Sequence, residues 1–444
     1  MGTNASTVVV SWRGMFPLRG KKLIMLITCV VVAMAAIVVF TAEAAARRGA
    51  DSASHRNLAT TSNPRSANGQ AHGRPGAGGL ASVGLRPGAA SPSAAGLTAA
   101  AAILPKLSPA QLAGQRVIYS YTGLTPPPAL LTLIRHGEVA GVIFFTNNIS
   151  SHAQIAAVDK ELQRANAAKS NPVRLPLLVM TDQEGGLVKR LSGEPVLSAK
   201  QVGEHAHPWA TASNEGKLGG QNLHGVGMNV NLAPVLDVFR QPGNFIDQFG
   251  RSFGSNPAKV AKLGTLFATA EQGQRVAATV KHFPGLGAAT QPQNTDERPV
   301  TLPLSLSAIR TIDELPYKEA IAAKVKLVMV SWAVYPALDA KFPAGLSSTV
   351  VQGELRKRLG FAGVTITDAL EAGALRSFGS ITHRSTLAAR AGMDLLLDAE
   401  GNYQEGLASL NSLEFDYNHH SLNATAFKAA VERVLALRAA LAGH

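Results

Sequence analysis

Cysteine is almost missing from this sequence: Cys29 is the only one in 444 residues. It sits inside an apolar run, so the chain beyond it can hold neither an internal disulfide nor a thiolate metal site. Aromatic residues make up only 5% of the chain, and no basic stripe is interleaved with them. Nucleic acid is therefore not an expected partner. The formal charge of +13 does not change that, because much of it lies in the first hundred residues. Those residues hold ten Lys/Arg against Glu43 and Asp51, which leaves 32 basic and 27 acidic residues in 101–444, a net +5. No Gly-x-Gly-x-x-Gly follows the first strand-like run, so the dinucleotide-binding form of a doubly wound sheet is not supported.

What is present begins with a single long apolar stretch, "LIMLITCVVVAMAAIVVFTA" at 23–42. Twenty uncharged residues are enough to cross a bilayer as a helix. Arg13, Arg19, Lys21 and Lys22 precede it, which predicts a cytoplasmic N-terminus and export of the remainder. The run is longer than a usual signal-peptide core and reads as a membrane anchor. Ala42-Glu43-Ala44 and Ala44-Ala45-Ala46 also fit a cleavage site, which would make the product secreted. Residues 1–46 are thus expected to be a tail and anchor or signal segment. Residues 47–100, rich in Gly, Ala, Ser, Pro and Arg with few large apolar side chains, are expected to be a disordered linker. Residues 101–444 are expected to form the folded domain.

Within that domain, eight short apolar runs alternate with helical patterns: 116–121, 141–145, 176–182, 228–238, 277–283, 326–332, 363–369 and 393–398. Helical patterns include 151–169, 256–273, 348–360 and 423–443. Continuous apolar strands between helices indicate a parallel sheet covered on both faces, and eight such units predict an α/β fold, a (β/α)8 TIM-type barrel. In such barrels the chemistry collects where strands end. Here Asp182, Asp237, the pair Lys281-His282 and Asp368 fall at four strand ends. Any one of them alone is as readily a cap or a solvated loop residue. Carboxylates converging with fixed cations suit a polyhydroxylated ligand and a cationic sugar transition state. In "DQFGRSFG", Arg251 is flanked by glycine turns.

Six stretches, "GVIFFTNNI", "TDQEGGLVKR", "GMNVNLAPVLDV", "GRSFG", "KHFPGLG" and "TDAL", occur in this order. Together they resemble glycoside hydrolase family 3, specifically its single-domain β-N-acetylglucosaminidase branch, over about residues 105–400. The resemblance implies a retaining mechanism through a covalent glycosyl-enzyme, with Asp368 as nucleophile. It implies that Asp182, Arg190, Arg251, Lys281 and His282 hold the sugar, and that the glycines after His282 release a mobile loop. It implies a carbohydrate substrate containing N-acetylglucosamine, no metal or organic cofactor, and a monomer. Two positions depart from the family pattern. Leu286 replaces the first histidine of the loop, and Asn294 falls where the acid/base histidine is expected. Asn cannot exchange a proton near neutral pH, which leaves Asp296 or Glu297 as the acid. Trp332 replaces another histidine and is expected to reshape the sugar face or the leaving-group side.

Three other functions fit parts of the pattern. Lys281 could be the Schiff-base lysine of an aldolase. The pocket could bind wall glycan without turning it over, or it could prefer β-glucosides. The paired His205 and His207 beside Glu204 have no further ligand nearby and read as a solvated loop, while His136 and His224 read as helix ends. The topology is open to a direct check. Protease added to intact cells should release the 101–444 domain or find it already free; protection of that domain in the cytoplasm would reject export.

Overall fold

The computed structural model describes residues 94–443. The anchor at 23–42 and most of the 47–100 linker lie outside the described residues. Among those described, no helix is long and apolar enough to cross a membrane.

The first helix, α1 (Ala94–Ile103), starts inside the segment expected to be linker. Its two large apolar residues, Leu97 and Ile103, pack against the core. Gly96 and Ala100 are buried, and the small side chains let α1 lie close against the last helix, α11 (Ala424–Leu441). Next comes α2 (Pro109–Gly114), opened by a capping box in which Ser108 and Gln111 satisfy each other's backbone N–H groups.

All eight expected strands form: β1 (Val117–Tyr119), β2 (Gly141–Ile143), β3 (Leu178–Thr181), β4 (Val230–Asn231), β5 (Ala277–Phe283), β6 (Leu327–Val330), β7 (Val364–Ala369) and β8 (Leu395–Leu397). Each pairs in parallel with the next, and Ile118 of β1 opposite Leu397 of β8 closes the barrel. The outer layer includes α3 (Pro128–Arg135), α4 (His152–Asn166), α5 (Ala199–Glu204), α6 (Pro208–Gly225), α7 (Pro257–Gln272), α8 (Leu315–Ala322), α9 (Ile381–Ala391) and α10 (Tyr403–Asn418). Thr349–Arg358 is wound as a π-helix. The fourth strand is far shorter than the 228–238 run suggested. Pro234 has no N–H to give the ladder, so pairing resumes only as a bridge between Val235 and Lys281.

Side-chain alternation along the strands builds two cores. Ile118, Ile143, Leu178, Met180, Val230, Leu327, Met329, Ile366, Leu395 and Leu397 pack together in one buried cluster. Their strand neighbours Val117, Tyr119, Val142, Val179, Val328 and Leu396 belong to the other, shared with the helices. A period of two therefore places alternate residues inside the barrel and against its outer layer.

The loop after β5 is drawn tightly onto the barrel rim. A Cβ on Gly287 would lie 2.0 Å from the Val238 carbonyl oxygen. The Gly287 carbonyl also accepts the Arg240 N–H at 2.9 Å and the Asn244 amide at 2.8 Å. Gly287→Ala should cost about 1–3 kcal/mol of stability through forced displacement of this segment. Chemical unfolding against the parent chain measures it, and an unchanged midpoint would contradict the close approach.

Candidate functional site

At the C-terminal ends of the strands lies a cleft of about 640 Å³. Its lining brings together seven of the charged residues the sequence singled out as catalytic or sugar-holding: Asp182, Arg190, Arg251, Lys281, His282, Asp296 and Asp368.

One wall is a network of buried charge. Asp182 follows β3, and Glu184 stands two residues on in a hairpin, Gln183–Gly185 with Val188–Lys189. Gly185 and Gly186 take φ values of +103° and +58°, which side-chain-bearing residues rarely adopt, so the turn needs glycine there. Lys281 Nζ reaches Asp182 Oδ1 at 2.7 Å and Glu184 Oε1 at 2.8 Å. Arg251 grips Glu184 with two parallel bonds of 2.8 Å, from Nε to Oε2 and from Nη2 to Oε1. Burial alone would push the Glu184 carboxyl up, but Arg251 and Lys281 hold it well below the usual carboxylate range. Burial likewise opposes charge on Lys281, yet Asp182 and Glu184 raise its pKa. A Schiff-base lysine needs the opposite, a neutral amine, so pairing with two carboxylates argues against the aldolase reading.

His282 is aligned by Asp237, whose carboxylate can only accept. Nδ1 lies 2.8 Å from Asp237 Oδ2 and so carries the proton, which turns Nε2 away from the aspartate. Asp237 Oδ1 meanwhile accepts the Leu286 N–H at 2.7 Å and the His282 N–H at 3.3 Å. Asp237 is completely buried and does not line the cleft; it positions its neighbours. Arg190 approaches Asp182 at 3.6 Å from the other side.

The cleft is also lined by Asp368, near the end of β7, and by Asp296, in the loop after β5. Asp296 is solvent-exposed as a residue, with its carboxyl partly enclosed where it lines the cleft. That enclosure and the nearby Asp368 push its carboxyl up to about 6, against the opposing pull of His282 and Arg251. Asn294 lines the cleft too, and its Oδ1 accepts the Asp296 N–H at 3.0 Å. Glu297 does not line it. Its side chain points into solvent and pairs with Arg298 at 3.3 Å. Of the two acids left open by the sequence, only Asp296 lines the cleft with Asp368.

The loop after β5 is tied to the segment after β7: the Gly373 N–H donates to the Asp296 carbonyl at 2.7 Å, and Ala374 N–H to the Thr295 carbonyl at 3.0 Å. One further expectation is corrected. Trp332 does not shape the sugar face. It is 1% exposed, and its indole N–H donates to the Ala369 carbonyl at 2.8 Å, directly behind Asp368. A large indole one strand away supports β7 from the back. His205 Nδ1 lies 2.9 Å from the Thr211 hydroxyl, an ordinary loop contact.

Sequence reasoning missed three residues. Glu184, inside "TDQEGGLVKR", is the centre of the cationic clasp. Gln183 beside it is fully buried and bonds to Asn231 on β4 and to the 190–194 loop, fixing the carboxylates on either side of it. Glu371, three residues after Asp368, lines the cleft and is pushed up to about 7 by burial and by Glu405 and Glu400, although the Ala399 N–H lowers it. The acidic pair in "TDQE" and the acid in "TDALE" were visible signals.

A closed parallel barrel with convergent carboxylates and cations at the C-terminal face has the architecture of a barrel enzyme. The chain belongs to glycosyl hydrolase family 3: the model of that family's N terminal domain matches residues 119–437. An uncharacterized secreted glycosyl hydrolase of Arthroderma benhamiae is 47% identical, over 74% of this chain and 93% of that protein. Beta-hexosaminidase A of Pseudoalteromonas piscicida is 33% identical, over 62% of this chain and 48% of its own length. Among solved structures, a family 3 beta-N-acetylglucosaminidase from a Paenibacillus species is 35% identical with a TM-score of 0.71, covering 76% of this chain and 63% of that one. The chain thus spans less than two thirds of the length of these last two. A beta-N-acetylhexosaminidase from Beutenbergia cavernae is 30% identical with a TM-score of 0.68, over 75% of this chain and 98% of that one.

Removing Glu184 leaves two buried cations without their carboxylate. Glu184→Ala should lower unfolding stability by about 3–5 kcal/mol, well beyond the cost of Asp182→Ala at its more exposed position. Chemical unfolding of both variants decides, and equal losses would contradict the central place of Glu184.

Proposed function

We propose that the protein is an exported, retaining glycosidase of the β-N-acetylhexosaminidase type, removing terminal sugars from cell-wall or chitin-type glycans. The observation that carries this reading is the interacting pair Asp296 and Asp368, lining one cleft with the clasp of Asp182, Lys281, Arg251 and His282. The hexosaminidases among its relatives support the sugar, and the Arthroderma protein described as secreted supports export. Whether the product stays anchored through residues 23–42 or is cleaved after them is decided outside the described residues.

In the proposed reaction the clasp, with Arg190, holds the hydroxyls of the terminal sugar. An Asp368 oxygen attacks the anomeric carbon while protonated Asp296 gives its proton to the departing glycosidic oxygen. A covalent glycosyl-aspartate results. Asp296, now ionised, then takes a proton from the water that attacks the same carbon and frees Asp368. The carboxylates near the ring also favour the positive charge that develops on the sugar.

A second reading, a glycan binder with little turnover, draws on Leu286 and Asn294 at positions where the family branch has histidines. Both readings meet the same assays on the full chain. Asp368→Asn should reduce hydrolysis of dinitrophenyl N-acetylglucosaminide on the order of 10³-fold or more. Asp296→Asn should slow a natural disaccharide by about 10²–10⁴-fold and spare kcat/KM of the dinitrophenyl substrate, whose leaving group needs little protonation, while its kcat falls because Asp296 also activates the water of the second step. Full activity in Asp368→Asn sinks the hydrolase reading, and no turnover by the parent chain favours the binder. Faster cleavage of aryl glucoside than of aryl N-acetylglucosaminide would reassign the sugar.

A pH profile tests the acid separately. Asp296 must be protonated to donate, and its carboxyl titrates near about 6. For poor leaving groups, kcat/KM should therefore hold below that pH and fall as pH rises through it. The falling limb should vanish in Asp296→Asn; a limb that persists there belongs to another group.

A further inference from the structure

On the opposite face of the barrel, where the strands begin, a second cavity of about 410 Å³ opens between the end of α9, the start of α11 and the residues leading into β1 and β8. Arg116, Arg390 and Arg433 line it, with Met393, Leu422 and Phe427 forming an apolar side.

Charge here is unbalanced. Asp394 is fully buried and takes Arg356 as one partner and Arg433 as another, the latter through Nη2 at 2.7 Å and Nε at 3.1 Å. Arg116 is 1% exposed and has no carboxylate as hydrogen-bond partner. It donates instead to the backbone carbonyls of Asp394 and Met393, and its guanidinium stands 4.4 Å over the Phe427 ring. Arg390 has no hydrogen bond or ion pair among the described residues. The Asp394 carboxylate thus pairs with two guanidinium groups and Glu432 lies near one of them, Arg433, while neither Arg116 nor Arg390 has a carboxylate partner among the described residues. The imbalance registers on Arg116, whose pKa is lowered to about 10 by burial and by repulsion from Arg433, despite the attraction of Asp394. A buried cation short of counter-charge is costly, and an incoming anion offsets that cost. The first turn of the 18-residue α11, from Asn423 to Phe427, faces the same space and adds the positive end of its dipole.

We propose that this cavity binds a small organic anion: a carboxylate or phosphate held by Arg390, Arg433 and Arg116, with an apolar body against Phe427 and Leu422. Charge and shape divide the labour. The guanidinium groups fix the head in paired hydrogen bonds, and the apolar wall selects what is attached to it. The site shares no residue with the sugar cleft and does not depend on the reaction proposed there.

The test is calorimetric titration of the full chain with inorganic phosphate, benzoate and phenyl phosphate, beside Arg390→Gln and Arg390→Glu. Arg390 is exposed and unpaired, so neither variant should unfold the chain, and thermal melting checks that they have not. Phenyl phosphate and benzoate should bind saturably, phenyl phosphate more tightly than phosphate alone, and Arg390→Glu should weaken both by about tenfold or more. Aryl-glycoside turnover of the variants should match that of the parent chain. Absence of saturable binding for all three probes up to about 10 mM, a millimolar limit that already corresponds to a negligible affinity, overturns the proposal. So does binding that is unchanged in both Arg390 variants, because it then belongs to the cations of the sugar cleft.

Discussion

The arrangement of the cleft depends on one buried carboxylate. Glu184 sits between Arg251 and Lys281 and, among the described residues, is the only carboxylate that pairs with both. Without it the two cations, from the loop after β4 and from β5, would repel each other in a space with little water. With it they form a rigid pair, and Lys281 retains a second bond for Asp182. The attraction offsets a large desolvation cost, and its return is geometric more than energetic: donors are fixed in place before a ligand arrives. Gln183 and Asp237 extend the same order outward, the first anchoring the hairpin to β4, the second aligning His282 and the turn at Leu286.

The barrel was legible because its signal is repeated. Eight apolar runs of strand length between helical patterns leave few alternatives, and all eight strands appear. Boundaries read less well where chemistry overrides pattern. Pro234 cuts β4 to two residues, and α1 orders a stretch whose composition resembles a linker. Ala-rich sequence looks poor in core-forming side chains, yet two helices in close contact need little bulk between them.

The site was legible in its charged strand ends and illegible in their division of labour. Asp182, Lys281, His282 and Asp368 could be named because each follows an apolar run. Glu184 could not be ranked above Asp182 from the sequence, since only folding shows that Arg251 reaches it across 67 positions. Trp332 invited a role in the cleft by its substitution pattern, but the indole turned inward. Spacing along the 284–299 loop could not separate Asp296 from Glu297, because adjacent residues in an irregular loop face different ways and no periodicity governs which.

The hydrogen bonds from Gly373 and Ala374 to Asp296 and Thr295 have a consequence for how such a protein can be altered. They stitch the segment after β7 to the loop after β5, so the two carboxylates of the cleft ride on one mechanical unit. A graft that exchanges only the β5 loop for a relative's version cuts those stitches and leaves the aspartate on β7 facing an unregistered partner. Recombination that respects the fold has to carry both segments together, and Trp332, which backs Ala369 from β6, belongs to the same block.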